Sequence, residues 1–294
     1  MTVIDAHQHF WDPTKAAYPW MDAPELAPIR RPFIPSDLRP LLDAEAVDAC
    51  VFVQCRHDEA ETEEQLAATL AHSWIVGVVG WVDLEAPNVA DRIARLRARP
   101  GGGRLVGVRH IVHDEADADW LTRPAVIRGL REVAAAGLAY DLLVRTRELP
   151  AAIAAVRAVP DGRFILDHAA KPPIARGWDP DWATRIGELA REPNVSCKLS
   201  GLVTEASWTS WSVADLAPAC GRVIEAFGPE RLIYGSDWPV CLLAAPYSRV
   251  KAAFDQTISG LSPTERAAVL GRNAITTYRL NLNPRTDRSL GTTQ

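Results

Sequence analysis

Two histidines close the first strand-like run of this chain, Val3-Ile4-Asp5-Ala6-His7-Gln8-His9-Phe10. In a β-strand, residues two apart project to the same face, so His7 and His9 aim at one point. Two neutral imidazoles converging there supply half of a metal site, or a pair of donors for a substrate carbonyl. A third histidine, His168, and a carboxylate, Asp237 in Ser236-Asp237-Trp238-Pro239, close two later strand-like runs. Each has a plainer reading: one histidine of the pair is a satisfied core residue, and Asp237 caps the turn that follows it.

Positioning such groups requires a scaffold, and the chain spells one. Strand-like runs recur at Ile4–Phe10, Ala49–Cys55, Ile75–Val82, Leu105–His110, Leu138–Val144, Arg163–His168, Asn194–Leu199 and Arg231–Gly235. Most are dense in Val, Ile and Leu rather than alternating, the pattern of parallel strands covered on both faces. Helical patterns lie between them. Thr62-Glu63-Glu64-Gln65 reads as a capping box, Asn88 caps Val89–Arg99, and Thr122 opens Arg123–Ala136. Eight strands alternating with helices predict a single (β/α)8 barrel of residues 1–280, followed by a polar tail, 281–294. A doubly wound open sheet is disfavoured, because no phosphate-binding glycine fingerprint follows the first strand. The long proline-rich segment from Trp11 to Pro35 is expected to fold over the barrel mouth.

Composition narrows the function classes. At 294 residues and 48% apolar, the chain has enough material for one large core. A net charge of -5 and the lack of a Lys/Arg block argue against nucleic acid as a partner. No apolar run reaches membrane-spanning length and no secretory leader pattern is present, so no membrane partner and a cytoplasmic address are expected. Five cysteines without C-x-x-C spacing read as small apolar residues of a reduced protein. Monomer and homo-oligomer both remain open.

In a (β/α)8 barrel the active site lies at the C-terminal strand ends, and the polar residues collect there. Strand one ends in His7 and His9, and strand two in Gln54, with Arg56 and His57 behind it. Strand three ends in Trp81 and Asp83, and strand four in Arg109 and His110, with His113 close by. Strand five carries Tyr140 and Asp141, strand six ends in Asp167 and His168, then Lys171, and strand seven carries Lys198 and Ser200. Asp141 reads as a buried structural carboxylate paired with an arginine, and Lys198 as a bridge to a neighbouring strand. His57 and His113 read as rim residues and His72 as a helix end, while Trp81 and Trp238 are placed to wall a pocket.

Taken together, His7-Gln8-His9, His168 and Asp237 resemble the amidohydrolase superfamily. The finer resemblance is to its sugar-lactonase branch, the L-fuconolactonase and L-rhamnonolactonase-like proteins. It rests on IDAHQHFWDP, GVVGWVDL, LVGVRHIV, AYDLLV, FILDHAAKP, CKLSGLVTE, PERLIYGSDWPVCLL and GRNAITTYRL, which span Ile4 to Leu280. There are departures. Ala169-Ala170 stands where relatives commonly carry Leu-Gly. Strand five offers Tyr140-Asp141 where metal-rich relatives place a histidine, and no lysine closes strand four. The resemblance therefore implies no binuclear centre. It implies one divalent ion, zinc by preference, on His7, His9, His168 and Asp237, or a metal-independent site.

The implied reaction is hydrolysis of a small-molecule sugar-acid lactone to the open aldonate. Asp237 is the expected base toward water, and later the acid toward the leaving ring oxygen. His7, His9 and His168 are expected to stabilise the oxyanion, directly or through the ion. Gln54, Trp81, Arg109, His110, Lys198 and Trp238 are the expected substrate-binding residues. The alternatives are a lactonase or decarboxylase of the same superfamily acting on an aromatic-degradation carboxylate, and a non-catalytic sugar-acid binder.

Overall fold

A computed structural model describes residues 1–282. The expected tail from Asn281 lies outside the described residues apart from its first two positions. Eight strands form one parallel sheet in sequential order: β1 Ile4–Gln8, β2 Ala49–Val53, β3 Ile75–Gly80, β4 Leu105–Ile111, β5 Ala139–Leu143, β6 Arg163–Leu166, β7 Val195–Leu199 and β8 Leu232–Tyr234. The sheet closes past the end of β8. His9 N donates to the Trp238 carbonyl at 2.7 Å, and Asp237 N donates to the His7 carbonyl at 2.8 Å. The (β/α)8 barrel expected from the strand–helix alternation is what the chain forms.

The Val- and Ile-rich strands face apolar material on both sides, as parallel strands require. Inside the barrel, Ile4, Ala6, Val51, Val79, Ile165 and Ile233 pack together with Tyr278 from the last helix. Outside, a second and larger apolar layer lies between strands and helices. All five cysteines are buried and free, as expected of small core residues.

Most strands are a residue or two shorter than the sequence reading, and two boundary differences bear on the site. The sixth strand ends at Leu166 instead of reaching His168, because Asp167–Ala170 coil into a tight turn. The second βα helix starts before Thr62. It spans Glu59–Ala71, and the Asp58 carboxylate accepts from Ala60 N at 2.9 Å as its cap. Thr62 lies a turn inside, where its hydroxyl accepts from Trp81 N at 2.9 Å and ties the helix to the end of β3.

The segment after β1 folds back over the mouth as an ordered arch. Trp11 and Phe33 exchange backbone hydrogen bonds at its base, 3.1 and 2.9 Å. The Trp11 indole donates to the carbonyls of Ile29 and Arg31, each at 3.1 Å. Prolines start its two short turns, Pro19–Met21 and Pro24–Ile29, where a fixed φ costs nothing. Among the described residues, no helix is long and apolar enough to cross a membrane.

Candidate active site

The histidine pair owes its direction to a bulge. The β1–β2 register shifts between Asp5 and Gln8, and an extra residue in one strand re-aims the side chains beyond it. Asp5 turns to the outer layer, where it accepts from Tyr247 Oη at 3.1 Å and Ser236 N at 2.8 Å. His7 and His9 turn to the barrel mouth, ring centroids 4.9 Å apart. Gly235 makes room: a Cβ there would fall 2.6 Å from the His7 Cβ.

His168 and Asp237 are held on strained backbone. His168, Ala169, Ala170 and Lys171 form a run at φ 52, 50, 58 and 50°, and Asp237 has φ 60°. Left-handed backbone is costly for residues with a Cβ. A methyl is a small burden in that run, which gives the Ala169-Ala170 pair a structural reason. Next to the pair, Ser200 Oγ lies 2.9 Å from His168 Nδ1.

Asp237 is the point of convergence. Its Oδ1 is 3.3 Å from His9 Nε2, 3.8 Å from His7 Nε2 and 3.9 Å from His168 Nε2. Burial lowers the pKa of all three imidazoles, for His7 and His168 well below the ordinary range, so they are neutral. A neutral imidazole has one donor and one acceptor nitrogen. His9 Nδ1 donates to the Val53 carbonyl at 2.8 Å, which leaves a lone pair on Nε2. Arg109 Nη1 donates to His7 Nε2 at 3.1 Å, which makes that nitrogen an acceptor too, while His7 Nδ1 lies 3.2 Å from Asp167 Oδ1 and 3.1 Å from Lys198 Nζ. In this arrangement neither His7 nor His9 presents an Nε2 proton toward Asp237. His168 can present one, because the Ser200 hydroxyl can donate to Nδ1 and leave the proton on Nε2.

Beneath the histidines lies a buried ionic network. Lys198 is fully buried and pairs with Asp141 at 2.6 Å and Asp167 at 2.9 Å. Asp141 also accepts from Tyr278 Oη at 2.6 Å. Asp167 lies 3.2 Å from His7 Nδ1 and accepts from Arg109 at 3.1 Å. Asp141 thus has a lysine for its partner where an arginine was expected. The flanking cations hold the Asp167 carboxyl well below the usual range, while burial pushes Asp141 up.

A cavity of about 340 Å³ opens above the convergence point, with His9, Arg109, His168 and Asp237 among its lining residues. His7 lies under this surface. Of the six expected substrate-binding residues, Arg109 alone lines the cavity. Lys198 is spent on the buried network. Gln54 donates its side-chain N–H to the Arg109 carbonyl at 3.1 Å, and Trp238 is buried against Phe10 and Phe33. His110 stacks between His57 and Trp120 at 3.8 and 4.1 Å, and accepts from the Trp81 indole. These five pack around the site instead of lining the cavity. Sequence reasoning left Arg145, Glu205, Trp20 and Trp208 out of the site, though all line the cavity, and gave Lys171 and His113 no clear role there. Their signal was position: each follows a strand end.

The donor set fits a divalent ion. His7, His168 and Asp237 each offer a ligand atom within 4.8 Å of the others, and the His9 lone pair faces the same carboxylate oxygen. Lone pairs and a carboxylate gathered around one point call for a proton or a cation. Against this, the His7 lone pair already receives Arg109.

Comparison with known proteins follows the same line. A family model described as amidohydrolase matches residues 4–280. The chain is 40% identical over 290 residues to the L-fucono-1,5-lactonase of Burkholderia multivorans, covering 94% of this chain and 96% of that protein. It is 40% identical over 282 residues to the L-fucono-1,5-lactonase of Burkholderia ambifaria, covering 95% and 96%. A crystal structure of an amidohydrolase from Burkholderia multivorans with bound zinc superposes with a TM-score of 0.90 at 38% identity, covering 96% of this chain and 100% of that one.

Proposed function

The chain belongs to the amidohydrolase family, and from that premise we propose that it opens sugar-acid lactones of the L-fucono-1,5-lactone kind to the free aldonate. The observation that carries this reading is Asp237, its Oδ1 3.3 Å from His9 Nε2, on the floor of a cavity sized for one sugar ring.

Asp237 accepts a proton from water as the water oxygen attacks the lactone carbonyl. The carbonyl oxygen becomes an oxyanion, met by the Arg109 guanidinium and the His168 Nε2 proton. The C–O bond of the ring then breaks. Protonated Asp237 returns its proton to the leaving ring oxygen, and the new carboxylic acid ionises to the aldonate. His9 keeps a lone pair toward the reacting centre and orients the water, while His7 Nε2, engaged by Arg109, steadies the guanidinium. His7, His9, His168 and Asp237 would also hold a divalent ion, zinc by preference, and a bound ion supplies Lewis-acid polarisation of the carbonyl.

The cavity walls suit a polyol better than an acidic aromatic. Three cations, Arg109, Arg145 and Lys171, stand with three carboxylates, Asp114, Glu205 and Asp237. Lys171 and Arg145 are both engaged by Glu205, at 3.1 and 3.4 Å. A decarboxylase of acidic aromatics calls for unpaired cations.

The test is acid release from a panel of aldonolactones, read with a pH indicator. Turnover of L-fucono-1,5-lactone or a close stereoisomer is expected. Inertness toward every sugar lactone, with turnover of aromatic-derived lactones, would overturn the substrate assignment.

A further inference from the structure

We infer that Glu205 is the residue that selects polyhydroxylated lactones, by accepting hydrogen bonds from ring hydroxyls away from the reacting carbonyl; this rests on the lactonase reading above. Glu205 ends the short helical turn Leu202–Glu205 that follows β7. It is 12% exposed and lines the same cavity as Asp237.

Two arms of chain carry it. One runs from His168 through the left-handed residues to Lys171. The other runs from Ser200 through Gly201 to Glu205. They are tied at their roots by Ser200 and His168, 2.9 Å, and at their tips by Glu205 Oε1, which accepts from Lys171 at 3.1 Å. Glu205 Oε2 accepts from Arg145 at 3.4 Å. The carboxylate is thereby fixed relative to the reaction centre, because both arms begin on catalytic ground.

Its remaining capacity is directional. An ionised carboxylate offers about four lone-pair sites, and the two cations take one on each oxygen. One acceptor site per oxygen is left, side by side, which matches the two O–H groups of a vicinal diol. The cations add charge-assisted donors for the same hydroxyl oxygens. Trp208, one turn further on, is steadied by its indole N–H donating to the Thr204 carbonyl at 2.8 Å, and it lines the cavity next to this group. An aromatic beside a carboxylate–cation pair is a surface for a sugar ring.

The test compares kcat/KM for the best aldonolactone with kcat/KM for δ-valerolactone, which lacks hydroxyls. The wild-type ratio is expected to be large. In Glu205→Gln it falls tenfold or more, chiefly through a higher KM for the aldonolactone, and Glu205→Asp recovers part of it. If the Gln variant does not fold, the Asp variant carries the same comparison. An unchanged ratio, with both substrates slowed alike, makes Glu205 a structural part of the loop and overturns the inference while leaving the lactonase reading intact. A wild-type enzyme inert toward all lactones overturns both.

Discussion

Arg109 Nη1 donates to His7 Nε2 across 3.1 Å, both groups buried at the barrel mouth. The same nitrogen is a candidate metal ligand, so a guanidinium and a divalent ion claim one lone pair. Arg109 is anchored from behind by Asp167 and by the Gln54 carbonyl, which fixes its head between the network below and the cavity above. The site therefore carries a permanent cation whether or not an ion is bound.

Zinc affinity should report this competition. Arg109→Met is expected to bind zinc more tightly than the wild type in a calorimetric titration, because His7 is released. It should also lower kcat, since the donor proposed for the oxyanion is lost. Equal zinc affinities would show that the guanidinium yields without cost.

Asp237→Asn removes the proposed base and keeps the shape. General acid–base catalysis contributes about 10²–10⁴-fold, so kcat should fall by at least about a hundredfold, with the thermal midpoint little changed. Steady-state kinetics on the best lactone decide it. Activity near the wild-type level would move the base role to another group.

The parts of this site legible in the sequence were those written locally. Val- and Ile-rich runs marked the strands, and His7, His9, His168 and Asp237 stood out because titratable residues closed those runs. What stayed hidden depends on register between distant strands. Lys198 meets Asp141 across 57 positions, and nothing in either segment says that a lysine there is buried under a histidine. The bulge in β1 and the left-handed run from His168 to Lys171 have no glycine to announce them. Arg145 and Glu205 follow different strands, and only the barrel brings them to one cavity.

Lys198→Met should destabilise the fold strongly. It leaves Asp141 and Asp167 buried without their shared cation, and breaking a buried ion pair from one side costs about 3–5 kcal/mol. Adding Asp141→Asn should recover part of that loss. Urea unfolding of the single and double variants measures it, and a loss below about 1 kcal/mol would show that water or a proton replaces the lysine.

Gly201→Ala addresses His168 and Asp237, the proposed catalytic residues, from the β7 side. Gly201 sits at φ 62°, and a Cβ there would fall 2.5 Å from His168 Nδ1 and 3.0 Å from Asp237 Oδ2. Left-handed backbone costs an L-residue about 1–2 kcal/mol, and the contact must also push His168 aside. A drop in kcat with a nearly constant KM is expected, alongside a lower thermal midpoint. A variant with wild-type kcat would mean that His168 tolerates displacement.

The buried neutral histidines also set how stability changes with pH. His7, His9 and His168 have pKa values lowered by burial in the folded state, whereas an unfolded histidine titrates near 6.5. Below that pH the unfolded chain binds protons that the folded chain refuses, so stability is full above about pH 6.5 and falls as the pH drops. Each such histidine adds at most about 1.4 kcal/mol per pH unit. Buried carboxyls oppose this. Asp5 and Asp141 are raised to about 6 and Glu61 to about 7, so the folded state holds their protons where the unfolded chain has lost them, and they favour the acid side. With His57, His110 and His113 also lowered by burial, six histidines stand against these three carboxyls and leave a net loss on acidification, but the total alone does not identify its source. His168→Asn does, in chelated protein. Its unfolding free energy should fall less between pH 7 and 5.5 than that of the wild type, by about 1 kcal/mol. Parallel curves for the two proteins would mean that His168 takes up a proton in the folded state, and the neutral imidazole assigned to it here would not stand.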